Sequence, residues 1–195
     1  ILIEIKKKVP FIKFLLHSLK SKYLKNIILS AGYRKNKLKS YIIKNPELNL
    51  KFSTEKKPLG TGGALRNTLK NHYVTNPFFV VNGDTFFYFN IEKFFNKNIL
   101  NSKKSYILLK KNEKVKRFDQ FKVINNKLIM INKKVKGKNL INSGLYLFYK
   151  KDLRIRKKIF SIEEDIIPKL IKQKRLNYII NNSNTFFDIG VPKDL

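Results

Sequence analysis

The chain has 195 residues, 43% of them hydrophobic, and it contains no cysteine. This length accommodates one hydrophobic core, and the apolar fraction argues against intrinsic disorder. The lack of cysteine excludes disulfides and thiolate metal sites. The formal net charge is +30, from 43 lysines and arginines against 13 aspartates and glutamates.

Helices and strands are predicted in alternation through the first quarter of the chain. Apolar residues recur at helical spacing from Phe11 to Lys22, after Pro10 in a position suited to a first helical turn. A short buried strand is predicted over Asn26 to Ser30, a second helix over Leu38 to Ile43 and another strand over Leu48 to Ser53. This alternation is typical of βαβ units and predicts an α/β domain in which helices cover a parallel sheet.

A glycine-rich loop follows, within EKKPLGTGGALRNTL from Glu55 to Leu69. Its glycines, Gly60, Gly62 and Gly63, are predicted to open a helix that runs from Ala64 towards Lys70. Glycines let a backbone approach a ligand, and a helix N-terminus favours anions. The spacing matches neither the common phosphate loop nor the dinucleotide fingerprint, so a tight connection without a ligand is the alternative.

The next strand ends at a carboxylate, in FFVVNGDTFF from Phe78 to Phe87. Phe78 to Val81 predicts a strand buried on both faces, and Asp84 comes where that strand would end. Ligands of open α/β sheets bind beyond the carboxyl ends of the strands, so Asp84 is a candidate metal ligand. An ordinary Asn-Gly-Asp turn is the competing interpretation.

The remaining segments predict further strands and helices and a second candidate carboxylate, Asp188. Asn142 to Gly144 interrupts one of these strands, as a bulge or a ligand contact would. The predicted segments are a short helix at Ile91 to Phe95, strands at Ser105 to Leu109, Leu140 to Tyr149 and Leu176 to Ile180, a hairpin over Phe121 to Ile131, a helix capped by Ser161, and Phe186 to Gly190 around Asp188.

The basic charge has two interpretations. It would attract nucleic acid or an anionic membrane, but readers of nucleic acid gather their cations in one patch, whereas these lysines are spread along the chain. Abundant Lys, Asn, Ile and Phe also fit the drift of an AT-rich coding sequence, which we favour over a polyanion partner. Lysines interrupt every apolar run, so we expect a cytoplasmic protein without a membrane span.

Five segments, in this order, resemble the sugar-1-phosphate nucleotidyltransferases. The resemblance covers nearly the whole chain and is to the branch that includes D-glycero-D-manno-heptose 1-phosphate and mannose-1-phosphate guanylyltransferases. The segments are PLGTGGALRNTL (Pro58 to Leu69), FFVVNGDTFF (Phe78 to Phe87), LINSGLYLF (Leu140 to Phe148), FSIEEDIIPKL (Phe160 to Leu170) and FFDIGVPKDL (Phe186 to Leu195).

The resemblance implies a single Rossmann-like, three-layer α/β domain over residues 1–195, of the glycosyltransferase-A-like kind, with a mostly parallel mixed sheet. The implied reaction is NTP + sugar 1-phosphate → NDP-sugar + pyrophosphate, with GTP or another NTP and a hexose or heptose 1-phosphate for cell-surface glycan precursors. Positioning and charge neutralisation carry such transfers.

The resemblance also assigns roles to residues. Asp84 and Asp188 would hold Mg²⁺, which prefers one or two carboxylates plus phosphate oxygens, and Lys134 would contact the sugar phosphate. The sugar would lie against Asn142, Ser143 and Gly144. The implied nucleotide-binding residues are Pro58, Leu59, Gly60, Thr61, Gly62, Gly63, Asn82 and Gly83.

This chain departs from the family pattern at two places. Lys133 stands where the family has a glutamate that binds sugar hydroxyls, which leaves the sugar open. The chain begins with ILIEI at Ile1, so we expect the N-terminal strand and the glycine-rich triphosphate loop to be missing, with a slightly short C-terminus. The alternatives are a fragment of an active enzyme, which alone would be inactive, and a decayed remnant or binding module.

Overall fold

A computed structural model describes residues 2, 9–19, 21, 24, 26–32, 35–112, 119–131, 139–183 and 185–190. The helices are α1 (Phe11–Ser18), α2 (Lys35–Ile43), α3 (Gly60–Asn71), α4 (Lys97–Asn101) and α5 (Ile167–Lys172). The strands are β1 (Ile27–Ala31), β2 (Leu50–Thr54), β3 (Phe78–Val81), β4 (Thr85–Phe87), β5 (Ser105–Asn112), β6 (Gln120–Ile124), β7 (Lys127–Ile131), β8 (Asn139–Phe148), β9 (Leu176–Asn181) and β10 (Phe186–Asp188). Short 3₁₀ turns cover Pro46–Leu48, Ile91–Phe95 and Lys150–Leu153, and a π-helical turn covers Ile162–Ile166.

The main sheet is mixed and has the strand order β7-β6-β8-β5-β9, with β3 also paired to β8. β5 and β9 are parallel, as are β1 and β2, which form a pair of their own. β8 runs antiparallel to β3, β5 and β6, so antiparallel pairs outnumber parallel ones among the described strands. The α/β class and the mixed sheet expected from the sequence are confirmed, but the expectation that the sheet is mostly parallel is wrong, because β8 runs antiparallel to its three partners.

β8 is the longest described strand, and two partners divide one of its edges. β5 follows one edge of β8 from Asn139 to Leu147. On the other edge, β6 pairs only as far as Ile141, and β3 begins to pair at Leu145. The segment Asn142–Gly144 lies between those two partners, and we call it the β8 junction.

Alternating side chains of the sheet build a core on each of its faces. In β5 and β8, Ile107 and Tyr146 point to the face covered by α3 and α5, whereas Leu108 and Leu145 point to the face covered by the turn at Ile91–Phe95. All four side chains are at most 2% exposed, as expected for strands covered on both sides. A smaller cluster packs α1 against β4 and Ile189.

Most predicted elements are confirmed, with shifted ends. α1 ends at Ser18, earlier than predicted, and α3 already begins at Gly60, so the glycines form its first turn. The helix predicted after Ser161 starts as a π turn before it becomes α5. The sequence did not predict β4 as a strand, because its few residues acquire a partner only from β10, far along the chain.

Across the described ranges, no helix is long and apolar enough to cross a membrane.

Buried Asp152 contacts residues at the ends of three strands, at the end of the sheet remote from the β8 junction. Its carboxylate contacts the Ser105 hydroxyl at the start of β5, the Arg175 guanidinium before β9 and, at 3.2 Å, the Tyr149 backbone N–H after β8. The Asp152 side chain is fully buried. Removing one partner of a buried ion pair leaves the other charge without compensation.

We expect Asp152→Ala to lower the free energy of unfolding by about 3–5 kcal/mol, because Arg175 would remain with an unpaired charge. Chemical denaturation followed by circular dichroism measures this change. Lys157→Ala is the matched control, since it removes the exposed ion pair with Asp165. If both variants unfold at the same denaturant concentration, Asp152 does not have this stabilising role.

Candidate functional site

The two candidate carboxylates are brought together by the pairing of β4 with β10. Asp188 lies opposite Thr85, the residue after Asp84, and the Ile189 N–H donates to the Asp84 carbonyl at 2.8 Å. A methyl group placed on Gly190 would lie 3.0 Å from Asp188 Oδ1 and 3.1 Å from Asp84 Oδ2. The oxygens of both carboxylates therefore converge on one place, which only a glycine leaves open.

Each of these carboxylates is oriented by a neighbouring donor. The Thr85 hydroxyl donates to Asp84 Oδ1 at 3.2 Å, and the Gly190 N–H donates to Asp188 Oδ1 at 2.8 Å. Asp84 is exposed and Asp188 is half-buried, so a ligand can reach the pair. Among the described residues, no group of three or more His, Cys, Asp or Glu side chains is arranged to hold a metal.

The glycine-rich turn of α3 packs directly on Phe160. A methyl group on Gly60 would lie 2.5 Å from the Phe160 carbonyl oxygen, and one on Gly62 would lie 2.5 Å from its ring. That carbonyl accepts hydrogen bonds from the N–H groups of Gly62 at 3.0 Å and Gly63 at 3.1 Å. Two of the first N–H groups of α3 are thus occupied by an acceptor within the protein.

Two charged side chains hold this contact in place. Arg66 donates to the carbonyls of Ile155 at 2.8 Å and Lys158 at 3.1 Å, and its guanidinium lies 4.6 Å from the centre of the Phe160 ring. Glu55 accepts the Leu59 N–H at 3.1 Å, where the chain enters the turn. The loop is therefore fixed from both sides.

The β8 junction contacts the end of β3. The Asn82 N–H donates to the Gly144 carbonyl at 2.8 Å, and a methyl group on Gly144 would lie 2.9 Å from Asn82 Cβ. Gly144 has φ = 75°, a conformation that glycine adopts without strain. Asn142, Gly144 and Asn82 consequently lie beside the turn that carries Asp84.

A polar network joins the junction to the glycine-rich turn. Asn142 Nδ2 donates to the Tyr146 hydroxyl at 2.6 Å, which contacts Glu163 Oε1 at 3.2 Å. Glu163 Oε2 accepts the hydroxyls of Thr61 at 2.9 Å and Ser161 at 2.8 Å. Burial raises the pKa of Tyr146 well above its ordinary value, and the charge of Glu163 raises it further.

The structure places most of the predicted site residues in these contacts. Pro58 is exposed where the loop begins, and Gly83 is half-buried in the turn before Asp84. The Ser143 side chain is fully buried, on the face of β8 opposite Asn142, so any contact of Ser143 with a substrate would use its backbone. Lys133 and Lys134 lie outside the described residues.

Sequence reasoning missed the supporting residues Glu55, Arg66, Tyr146 and Glu163. All four lie within or directly beside segments that carry the resemblance. The sequence therefore indicated these segments but not the roles of the four residues. A role as a hydrogen-bond partner depends on which distant segment approaches, and periodicity along the chain carries no information on that.

Comparison with known proteins gives a consistent result. A family model described as nucleotidyl transferase matches residues 2–195. D-glycero-alpha-D-manno-heptose 1-phosphate guanylyltransferase from Campylobacter jejuni is 37% identical, over 95% of this chain and 82% of that protein. The enzyme of the same name from Aneurinibacillus thermoaerophilus is 27% identical, over 95% of this chain and 81% of its own.

A solved structure is similar over the same extent. HddC from Yersinia pseudotuberculosis, crystallised with GMP-PN, superposes with a TM-score of 0.77 at 28% identity. The match covers 95% of this chain and 82% of that one.

We expect Gly60→Ala to destabilise the protein by roughly 1–3 kcal/mol, because the new methyl group would meet the Phe160 carbonyl at 2.5 Å and φ is 74° there. Thermal unfolding measures the loss. Lys57→Ala, at an exposed position in the same loop, is the control and should leave the midpoint unchanged. Equal midpoints for the two variants would show that the close contact is not present in solution.

Proposed function

This chain belongs to the nucleotidyl transferase family, and from that premise we propose that it transfers a guanylyl group from GTP to a heptose or hexose 1-phosphate. A phosphate oxygen of the sugar 1-phosphate attacks the α-phosphorus of GTP. The bond from the α-phosphorus to the oxygen that bridges to the β-phosphorus breaks, and pyrophosphate leaves. The products are a GDP-sugar and pyrophosphate.

The convergence of Asp84 and Asp188 at Gly190 carries the proposal. Two carboxylates from different segments meet at the end of β3, beside the β8 junction. The arrangement suits a site that receives a cation together with an anionic substrate.

The donor set fits Mg²⁺, which takes one or two carboxylates and completes its shell with water and substrate phosphate oxygens. We propose that Asp84 and Asp188 are those carboxylates. Mg²⁺ bound there would supply positive charge to the phosphate oxygens of both substrates. The other side chains of the site bind and orient the reactants.

We assign the glycine-rich turn to the guanosine part of GTP rather than to its phosphates. Gly62 and Gly63 already donate to the Phe160 carbonyl, which leaves fewer N–H groups of this turn for a phosphate. Gly60 and Thr61 are exposed and present a surface with little side-chain bulk. Such a surface lets a flat base lie close to the backbone.

The sugar 1-phosphate is assigned to the β8 junction. Asn142 is half-buried, and its amide can both donate and accept hydrogen bonds, as sugar hydroxyls require. Lys134 remains a prediction for the sugar phosphate contact, because a cation suits that dianion. The names of the relatives from Campylobacter jejuni and Aneurinibacillus thermoaerophilus support guanine as the base and a heptose as the sugar.

Asp84→Asn should lower the rate of pyrophosphate release by orders of magnitude, because the neutral amide no longer attracts the metal. Since Asp84 is exposed, folding should be unaffected. The assay uses the full-length protein with GTP, Mg²⁺ and D-glycero-α-D-manno-heptose 1-phosphate. Glu47→Gln, at an exposed position in the turn Pro46–Leu48, is the control carboxylate. Unchanged turnover of Asp84→Asn would contradict the metal assignment.

Chelation of divalent metal should stop pyrophosphate release, and added Mg²⁺ should restore it. With metal present, GTP should be used in preference to ATP, CTP and UTP at equal concentration. Release of pyrophosphate from each nucleotide, followed by an enzyme-coupled assay, measures both effects. Activity that persists in a chelator would contradict the need for a divalent metal. Equal use of all four nucleotides would contradict the preference for guanine.

A further inference from the structure

The orientation of the Asn142 amide is fixed from both ends. The Gly144 N–H can only donate, and it meets Asn142 Oδ1 at 2.9 Å. The amide nitrogen must therefore point to Tyr146, 2.6 Å away. These two bonds use one N–H and one lone pair of the amide, which leaves its second N–H and second lone pair for another partner.

The hydroxyl of Tyr146 links the Asn142 amide to Glu163. Asn142 Nδ2 has no acceptor capacity, so the Tyr146 oxygen accepts from it and has its single proton left to donate. Glu163 Oε1 lies 3.2 Å away and accepts this hydrogen bond from the Tyr146 hydroxyl. Tyr146 is fully buried, so water does not compete for the contact.

Glu163 in turn connects to the nucleotide side of the site. An ionised carboxylate only accepts hydrogen bonds, so the hydroxyls of Tyr146, Thr61 and Ser161 all direct their protons at Glu163. Thr61 also accepts the Ile162 N–H at 2.8 Å, which leaves its proton for Glu163. Hydrogen bonds to a charged acceptor are about twice as strong as neutral ones, so the carboxylate sets the direction of the network.

We propose that Glu163, acting through Tyr146, is a positioning residue that presents the free N–H of Asn142 to a hydroxyl of the sugar 1-phosphate. Through Thr61, the same carboxylate couples that amide to the glycine-rich turn. The proposal rests on the proposed function for the identity of the ligand, because it takes the sugar 1-phosphate to be the molecule at the β8 junction. It assigns sugar binding to a residue that need not touch the sugar.

Tyr146→Phe separates this role from simple packing, because it removes one oxygen and keeps the ring. Asn142 could then rotate about its side-chain bonds, and its N–H would be aligned only part of the time. We expect mannose 1-phosphate and D-glycero-α-D-manno-heptose 1-phosphate to bind roughly 3- to 10-fold more weakly, the range of one net hydrogen bond. Affinity for GTP should change less than about 2-fold, since Thr61 keeps its contact with Glu163.

Glu163→Gln should weaken the binding of both ligands. The amide nitrogen of the glutamine would replace one carboxylate oxygen, and its N–H groups cannot accept hydrogen bonds from the hydroxyls there. Glu164→Gln is the matched control at the adjacent, exposed position and should weaken neither. Thr61→Val and Thr61→Ser form a second pair in case Tyr146→Phe does not fold. Valine should weaken sugar phosphate binding and serine should restore it, because Thr61 is exposed and only its hydroxyl contacts Glu163.

Isothermal titration calorimetry on the full-length protein measures these affinities without turnover, with and without a GTP analogue that cannot be cleaved between its α- and β-phosphates. The inference is overturned if the wild type binds neither sugar phosphate, or if Tyr146→Phe weakens sugar phosphate and nucleotide equally. It is also overturned if Glu164→Gln matches Glu163→Gln. Binding that follows the expected pattern without any pyrophosphate release would support the inference and contradict the proposed function.

Discussion

The division of one edge of β8 between two partners is the constraint on which the site depends. At each position along one edge, a strand can pair with only one neighbour. The pairing of β8 with β6 must therefore end before its pairing with β3 begins. β6 and β3 meet at Asn142–Gly144, where Gly144 takes a positive φ and the Asn82 N–H bonds to its carbonyl. Regular pairing on that edge is broken there, and the half-buried Asn142 side chain lies at the break.

The remaining parts of the site are arranged around that junction. β3 ends beside it and leads to Asp84, and β10 pairs with β4 to bring Asp188 to the same place. The glycine-rich turn reaches the junction indirectly, through Thr61, Glu163 and Tyr146. Each functional group is therefore supported by at least one element that also belongs to the core. Precise placement of this kind is what a transfer governed by positioning requires.

The glycines of the α3 turn show how a single sequence feature can serve two purposes. A close approach by Phe160 is enough to require Gly60 and Gly62, whatever ligand binds nearby. The interpretation of the loop as a tight connection is confirmed, and its role in binding a ligand stays a prediction. The Phe160 carbonyl occupies the N–H groups of Gly62 and Gly63, which leaves fewer backbone donors for a phosphate at this turn.

The sequence by itself determined the kinds of element and the segments that carry chemistry. Local patterns of apolar residues predicted β3 and the hairpin, with its turn at Asn125–Asn126, because an apolar run and a turn signal can be read from neighbouring residues. Only the tertiary structure decided which residues meet. The convergence of Asp84 and Asp188, the contact of Phe160 with the glycines and the link from Glu163 to Asn142 each join segments far apart in the chain. Hydrogen bonds and close packing depend on distances of a few ångströms, and folding sets those distances after the local patterns have been satisfied.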